Sequence, residues 1–244
     1  MSLKKGWDEM LKIAGQSEKD PPKIDWDIVL LRAAMVGDVA SAERALLAGA
    51  NIHTWQDQSL RDASREGYLE MVKFLVTKGA DIHAQEDCAL RWAARYGHLA
   101  VVKFLVAKGA DIHVQEDCAL RWAAQYGHLA VVEFLVAKGA DIHAQTDYAL
   151  RKCILETRNS NDPRYGAVID FLLEHGRWES VDEKGLTPLK RLAENKDFVF
   201  AELAFEKVRD YVAAQKELEL KRRAEAVRAM QAGFKKIILK KRRK

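Results

Sequence analysis

Histidine and cysteine are the residue types in this chain that could bind a metal ion or attack a substrate. Four histidines recur at intervals of 30 residues: His53, His83, His113 and His143. Neighbouring helical modules stack about 8–10 Å apart, whereas a shared zinc ion needs each imidazole nitrogen at about 2.0–2.1 Å. One such column cannot chelate one ion, so we predict no metal site.

The three cysteines, Cys88, Cys118 and Cys153, would be nucleophiles only as thiolates. Their repeat-related or apolar positions predict buried, reduced thiols rather than a disulfide framework. The chain contains no Gly-x-Ser-x-Gly, no phosphate-binding glycine loop, no Cys-x-x-Cys and no His-Glu-x-x-His. We therefore predict no catalytic residue, no cofactor and no enzymatic activity.

These positions belong to a repeat with a period of 30 residues. Residues 88–111 and 118–141 differ only at two places, Arg95 against Gln125 and Lys103 against Glu133. Five further columns keep the same register, and they begin at Asp27, Leu30, Ala33, Gly37 and Gly49. A fixed period of this size predicts stacked modules in a solenoid.

Each module has the pattern of two short helices. Its Asp is expected to cap the start of the first helix, and Leu and Ala three and six residues later give that helix an apolar face. A Gly in the left-handed conformation ends it. Leu99, Val102, Leu105 and Val106 then form a second apolar stripe, which ends at Gly109. The predicted fold class is all-α.

The unit Ala-Leu-Arg-Trp-Ala-Ala-x-Tyr-Gly-His-Leu-Ala-Val-Val-x-Phe-Leu-Val-Ala-Lys-Gly-Ala-Asp-Ile-His resembles the ankyrin repeat over roughly residues 27–196. The resemblance implies an ankyrin-type α-solenoid of about six units, with His98 and His128 hydrogen-bonded within their turns. The usual period of the ankyrin repeat is about 33 residues, which is three more than the period of this chain. We therefore expect shortened finger loops with little or no strand. The 30-residue units are most similar to those of large DNA viruses and phages.

The ends of the repeat predict three regions: an N-terminal segment with a short helix (1–26), the repeat array (27–196), and a C-terminal capping helix with a basic tail (197–244). Residues 158–164 are an insertion of seven residues, for which we expect a longer exposed loop. A sixth unit is expected from Asp182, with Pro188 in a first helical turn.

The resemblance also implies that partners bind the concave face made by the fingers and the first helices. Trp, Tyr and Arg dominate binding hot spots, and two Trp, two Tyr and several Arg fall on the first helices. The predicted partner-binding residues are Asp62, Arg65, Glu66, Arg91, Trp92, Arg95, Tyr96, Arg121, Trp122, Gln125, Tyr126 and Lys152. In the alternative interpretation, Trp92 and Trp122 only pack between adjacent first helices. We predict a protein partner.

Positive charge is concentrated at the C-terminus. Residues 221–244 contain one acid, Glu225, and eleven basic residues that we predict to bind a polyanion: Lys221, Arg222, Arg223, Arg228, Lys235, Lys236, Lys240, Lys241, Arg242, Arg243 and Lys244. Clustered Lys and Arg bind phosphates, and a basic amphipathic helix also binds a protein groove or an anionic membrane. A solvated end is the fourth alternative. The preferred function is an adaptor or inhibitor, and the alternative is a nucleic-acid or ribonucleoprotein component.

The chain has no apolar run of about 18 residues, and its first six residues lack a signal-peptide pattern. We therefore expect a cytoplasmic protein, in the host cytoplasm if it is viral. The identity of the partner and the oligomeric state stay open.

Overall fold

The computed structural model describes residues 24–160, 162–176 and 207–225, and within these ranges all regular structure is helical. The helices are α1 (Trp26–Val36), α2 (Val39–Leu47), α3 (Thr54–Glu66), α4 (Leu69–Thr77), α5 (Ala84–Arg95), α6 (Leu99–Ala107), α7 (Val114–Gln125), α8 (Leu129–Ala137), α9 (Ala144–Ser160), α10 (Pro163–His175) and α11 (residues 207–225). The predicted all-α class is confirmed.

The chain divides into two compact units, residues 1–81 and 82–244. In the first unit α1 packs against α3, and α2 packs against α4. In the second unit the first helices α5, α7 and α9 pack side by side, and the second helices α6, α8 and α10 form a parallel row behind them. Each unit therefore shows the module stacking of an ankyrin-type α-solenoid.

The apolar columns of the repeat form the core. Leu30, Leu60, Leu90, Leu120 and Leu150 are each at most 1% exposed. Full burial of a leucine side chain stabilises a fold by about 1.5–3 kcal/mol, so this column alone contributes substantially in every module. The predicted inward face of the first helices is confirmed.

A left-handed turn replaces the finger loop of each inner module. Three consecutive residues at 55–57, 85–87, 115–117 and 145–147 have φ between 49° and 59° and ψ between 34° and 60°. For residues other than glycine this conformation costs roughly 1–2 kcal/mol per residue. Other contacts must therefore hold these turns, and the sequence analysis did not foresee them.

The last residue of each turn is the recurring Asp. The carboxylates of Asp57, Asp87 and Asp117 reach the loop that leads to the next module. Oδ1 of Asp87 accepts a hydrogen bond from the backbone N–H of Asp111 at 3.1 Å, and Asp57 binds the N–H of Asp81 in the same way. In the first module the expected helix cap was wrong. Asp25 caps α1, and Asp27 instead accepts from the N–H of Asn51.

The two histidine columns are structural. His113 lies with Nδ1 3.0 Å from Oδ1 of Asp117, and His53 and His83 make the same contact with Asp57 and Asp87. Nε2 of His128 lies 2.9 Å from the backbone carbonyl oxygen of Arg95, 33 residues earlier. His128 therefore links two modules, which corrects the expectation of a hydrogen bond within its own turn.

The insertion at residues 158–164 does not form a long loop, so that expectation was wrong. Helix α9 continues to Ser160, and α10 begins at Pro163. Asp162 caps α10 by accepting a hydrogen bond from the N–H of Arg164 at 2.9 Å, and proline suits the first helical turn because no N–H is needed there. The extra residues thus lengthen the helices.

Several predictions fall outside the described residues: the N-terminal helix, the sixth unit at Asp182 with Pro188, and the tail beyond residue 225. In α11, Val208 is buried and Tyr211 is half-buried. This helix therefore has one covered side near its start. None of the described helices has the length and apolar content needed to cross a membrane.

The glycine that ends α5 provides a test of module stacking. Gly97 has φ of 78°, and a Cβ at this position would lie 2.5 Å from Nδ1 of His128. Gly109 has φ of 100°, and a Cβ there would meet nothing within 4 Å. We expect both Gly97→Ala and Gly109→Ala to lower the free energy of unfolding, because both glycines have positive φ. The free energy of unfolding of Gly97→Ala should be lower by about a further 1–3 kcal/mol, because the new methyl group overpacks against His128. Urea denaturation followed by circular dichroism measures the difference, and equal midpoints would contradict the contact.

Candidate functional site

The helical periodicity of α5 and α7 places several of the predicted binding residues on the side that faces away from the core. Leu90, Ala93 and Ala94 are buried in α5, which turns positions 92, 95 and 96 away from the core. Trp92 is half-buried and Tyr96 is 47% exposed. The same positions of α7 carry Trp122, Gln125 and Tyr126, all half-buried. The structure thus brings the aromatic residues of two modules onto one accessible surface.

An arginine lies at the centre of these rings. The guanidinium carbon of Arg95 is 5.1 Å from the Trp92 ring centroid, 5.2 Å from that of Trp122 and 5.0 Å from that of Tyr126. Tyr96 is 5.9 Å away. These distances are within the range of cation–π attraction. We call Trp92, Arg95, Tyr96, Trp122 and Tyr126 the Arg95 cluster.

The tryptophans support both interpretations of their role. The ring centroids of Trp92 and Trp122 are 5.7 Å apart with planes tilted by 49°, a favourable aromatic geometry. Packing between adjacent first helices is therefore confirmed. Both rings nevertheless keep part of their surface accessible. An aromatic surface that is already ordered by its neighbours loses little entropy when it is covered.

Arg91 and Arg121 hold the left-handed turns. Nε of Arg121 donates to the backbone carbonyl of Glu116 at 2.9 Å, and Nη2 donates to that of Gln115 at 2.7 Å. Arg91 binds the carbonyls of Glu86 and Gln85 in the same way, at 3.0 and 2.8 Å. Hydrogen bonds from a charged donor are stronger than neutral ones, so they offset part of the cost of the turn.

The same arginines connect one module to the next. Nη1 of Arg91 donates to Oε1 of Gln115 at 3.1 Å, and Nη1 of Arg121 donates to Oε1 of Gln145 at 2.7 Å. The backbone carbonyl of Gln145 is held in turn by Arg151. Arg121 is buried. These side chains therefore support the surface and offer it few free donors.

The remaining predicted partner-binding residues flank this surface or lie in the first unit. Lys152 lies 5.6 Å from the Tyr148 ring, whose hydroxyl donates to Oε1 of Gln125 at 3.2 Å. On α3, Asp62 is buried, and Arg65 lies between Asp62 and Glu66 at 3.7 and 2.9 Å. Asp62 thus offers little surface for a partner.

The thiols are poorly placed for nucleophilic attack. Cys153 donates a hydrogen bond from Sγ to the carbonyl of Ala124 at 3.1 Å, and burial raises the pKa of its thiol far above the usual range. Burial also raises the pKa of Cys118. Both groups therefore stay protonated at neutral pH, where a thiolate would be needed. In the part of the chain that the structure describes, no group of three His, Cys, Asp or Glu side chains could hold a metal ion.

The predicted polyanion-binding residues within the described ranges are Lys221, Arg222 and Arg223, all exposed on α11. Lys221 pairs with Glu217 at 2.7 Å and Arg223 pairs with Glu219 at 2.5 Å. Exposed pairs of this kind contribute little to stability, but they neutralise part of the positive charge at the start of the basic segment. The other eight lie outside the described residues.

The predicted role of Arg91 and Arg121 as partner contacts leaves out their hydrogen bonds to the turns, although the sequence contains a signal for them. Arginine recurs at the same position of every inner module, as Arg61, Arg91, Arg121 and Arg151. A residue kept in every module is more typical of the repeat's own structure than of one binding site. Arg61 donates to the carbonyl of Trp55 at 2.7 Å, which extends the same role to the first unit.

The paired helices, their stacking and an accessible surface on the first helices define a tandem helical-repeat protein. Residues 30–116 and, in an overlapping match, residues 60–146 match the family model of ankyrin repeats in three copies. Residues 30–146, which these matches cover, are ankyrin repeats. A comparison with curated proteins finds no significant match. Ankyrin repeats generally mediate protein–protein interactions and are typically non-enzymatic, so the family indicates a protein partner.

The arginine that holds the turn gives a stability test. Lysine cannot donate two hydrogen bonds in the planar geometry that Arg121 uses, so we expect Arg121→Lys to lower the free energy of unfolding by about 1–3 kcal/mol. Arg95→Lys is the matched control, because a lysine keeps the cation–π contact. Urea denaturation measures both variants. The same stability for Arg121→Lys as for Arg95→Lys would contradict the role of the bidentate contact.

Proposed function

We propose that this protein is a non-enzymatic cytoplasmic adaptor or inhibitor that binds one protein partner through the Arg95 cluster. The observation that carries the proposal is the arrangement of four Trp and Tyr rings around the Arg95 guanidinium on the accessible side of α5 and α7. These residue types are enriched among binding hot spots. The cluster is also centred between two adjacent modules, where a partner can contact both.

We propose a smaller contact surface than the twelve predicted residues. Gln125 and Lys152 extend the Arg95 cluster along α7 and α9, and both are partly accessible. Arg91 and Arg121 are proposed to act indirectly, because their guanidinium groups bind backbone carbonyls. Arg65 and Glu66 remain proposed contacts on the first unit. In ankyrin-like proteins this side of the first helices is the concave side, which is where we propose that the partner binds.

The pair of tryptophans tests this proposal. Each of Trp92→Ala and Trp122→Ala is expected to weaken partner binding by about 2 kcal/mol or more, roughly 30-fold. Partners are first captured from a nuclease-treated extract with the tagged full chain and identified by mass spectrometry. Binding of the purified partner is then measured by calorimetry for the wild-type chain and each variant.

Lys103→Gln is the control for that measurement. Lys103 is exposed on the second helix α6 of the same module, so its removal should leave partner affinity unchanged. Circular dichroism verifies that each variant is folded. A partner that binds the double variant Trp92→Ala/Trp122→Ala as tightly as the wild-type chain contradicts the proposal.

The basic segment supports the second candidate, binding of nucleic acid by the C-terminus. Residues 226–244 contain eight Lys or Arg and no acid, and phosphate neutralisation gives an affinity that falls steeply with salt. If the protein is a ribonucleoprotein component, deletion of residues 226–244 should abolish binding to a single-stranded RNA. The salt dependence of that binding should disappear with it. If the adaptor function is correct, the same deletion leaves the affinity for the protein partner unchanged. Fluorescence anisotropy at two salt concentrations measures the RNA binding.

A further inference from the structure

We propose that the Arg95 cluster recognises an acidic segment of the partner, with a carboxylate bound by the Arg95 guanidinium and an apolar side chain covering the rings beside it. This inference rests on the proposed function, and it specifies the chemistry of the partner.

Aromatic rings hold the Arg95 side chain in place. Its guanidinium contacts the rings of Trp92, Trp122 and Tyr126, and no acceptor within the described part of the chain binds its N–H groups. Stacking on aromatic faces restricts the side chain but leaves the edge of the guanidinium plane, where its donors lie, unoccupied. The result is an oriented pair of donors that suits the two oxygens of a carboxylate.

The neighbouring arginines show the contrast. Arg91 and Arg121 direct two donors each to backbone carbonyls and a third to a glutamine of the next module. Their hydrogen bonds are thus made within the repeat. Arg95 occupies the helical position four residues after Arg91 and faces outward, and among the described residues its guanidinium has only ring contacts. It is therefore the arginine of this surface with donors to offer.

Charge on the surrounding helices favours an anion. Residues 88–96, 118–126 and 148–160, which form the right-handed parts of the three first helices in the second unit, contain six Lys or Arg and one acid, Glu156. Glu86 and Glu116 lie in the left-handed turns before two of these helices. A positive surface attracts an acidic segment and disfavours a basic one. The apolar faces of Trp92 and Trp122 favour an aliphatic or aromatic residue next to the acid.

A protein carboxylate fits this surface better than a nucleic acid does. Nucleic-acid binding draws its affinity from several neutralised phosphates along a strand. The Arg95 cluster offers one guanidinium with unused donors, which matches a single carboxylate held in bidentate geometry. The large aromatic area around it then supplies the remaining contact, as in a protein hot spot.

The repeat itself provides the variant that tests this inference. Residues 88–111 and 118–141 differ at two places, and at one of them Arg95 is matched by Gln125. Arg95→Gln therefore introduces a residue that the same helix position already accommodates in the next module. Lys103→Gln removes one positive charge from the same module at an exposed position of α6, and it serves as the matched charge control.

The probe is a displayed library of random peptides about 12 residues long, selected on the immobilised full-length chain. We expect the enriched peptides to contain Asp or Glu next to an aromatic or aliphatic residue. Synthetic copies of these peptides should bind Arg95→Gln about tenfold more weakly or worse, and bind Lys103→Gln within about twofold of the wild-type chain. Replacing the peptide's acid by its amide should reproduce the loss on the wild-type chain, and this loss should vanish in Arg95→Gln.

Each other outcome has a distinct meaning. Enriched peptides that need Trp92 and Trp122 but bind Arg95→Gln unchanged overturn the carboxylate inference and leave the proposed function standing. A selection that yields no peptide dependent on the two tryptophans contradicts both. A thymidine oligomer of about 20 nucleotides that depends on Arg95 and displaces the selected peptides would reassign the surface to nucleic acid.

Discussion

The stacked modules depend on one interaction, in which an arginine donates hydrogen bonds to the left-handed turn at the start of its own helix. The turn places three residues other than glycine in a conformation that costs roughly 1–2 kcal/mol for each of them. Arg121 supplies two charged hydrogen bonds to the carbonyls of Glu116 and Gln115, and a third to the side chain of Gln145. Without these bonds the turn would lose its support, and with it the position of the Asp that binds the next loop.

This constraint divides the surface into residues that serve the repeat and residues that are available to a partner. Side chains that recur in each module, such as Arg91 and Arg121, make hydrogen bonds within the stack. Position 95 varies along the repeat, with Met35, Arg65, Arg95 and Gln125 at equivalent places. Within the described residues the Arg95 guanidinium makes only ring contacts. A function specific to this chain should therefore reside in positions where neighbouring modules differ, because the shared positions are committed to stacking.

The sequence predicts most of the fold. For the candidate site it predicts which residues lie on the first helices, but not which of them make hydrogen bonds within the repeat. The apolar columns at Leu90 and Leu120 predicted buried helix faces, and both leucines are buried. The seven inserted residues after Thr157 predict a longer loop, yet α9 continues to Ser160 and Pro163 begins α10. The predicted partner-binding residues of the second unit lie on first helices, but the difference between Arg95 and Arg91 depends on hydrogen-bond acceptors that composition does not reveal.

The amino-acid sequence by itself determined the helix periodicity, the module length and the residues that face the core, because these follow from spacing over a few residues. Only the tertiary structure decided where the polar groups are paired. Asp87 binds a backbone N–H 24 residues away, and His128 contacts a carbonyl 33 residues away. Such partners meet only after modules stack, since the hydrogen bonds join groups that are distant in the chain and adjacent in space.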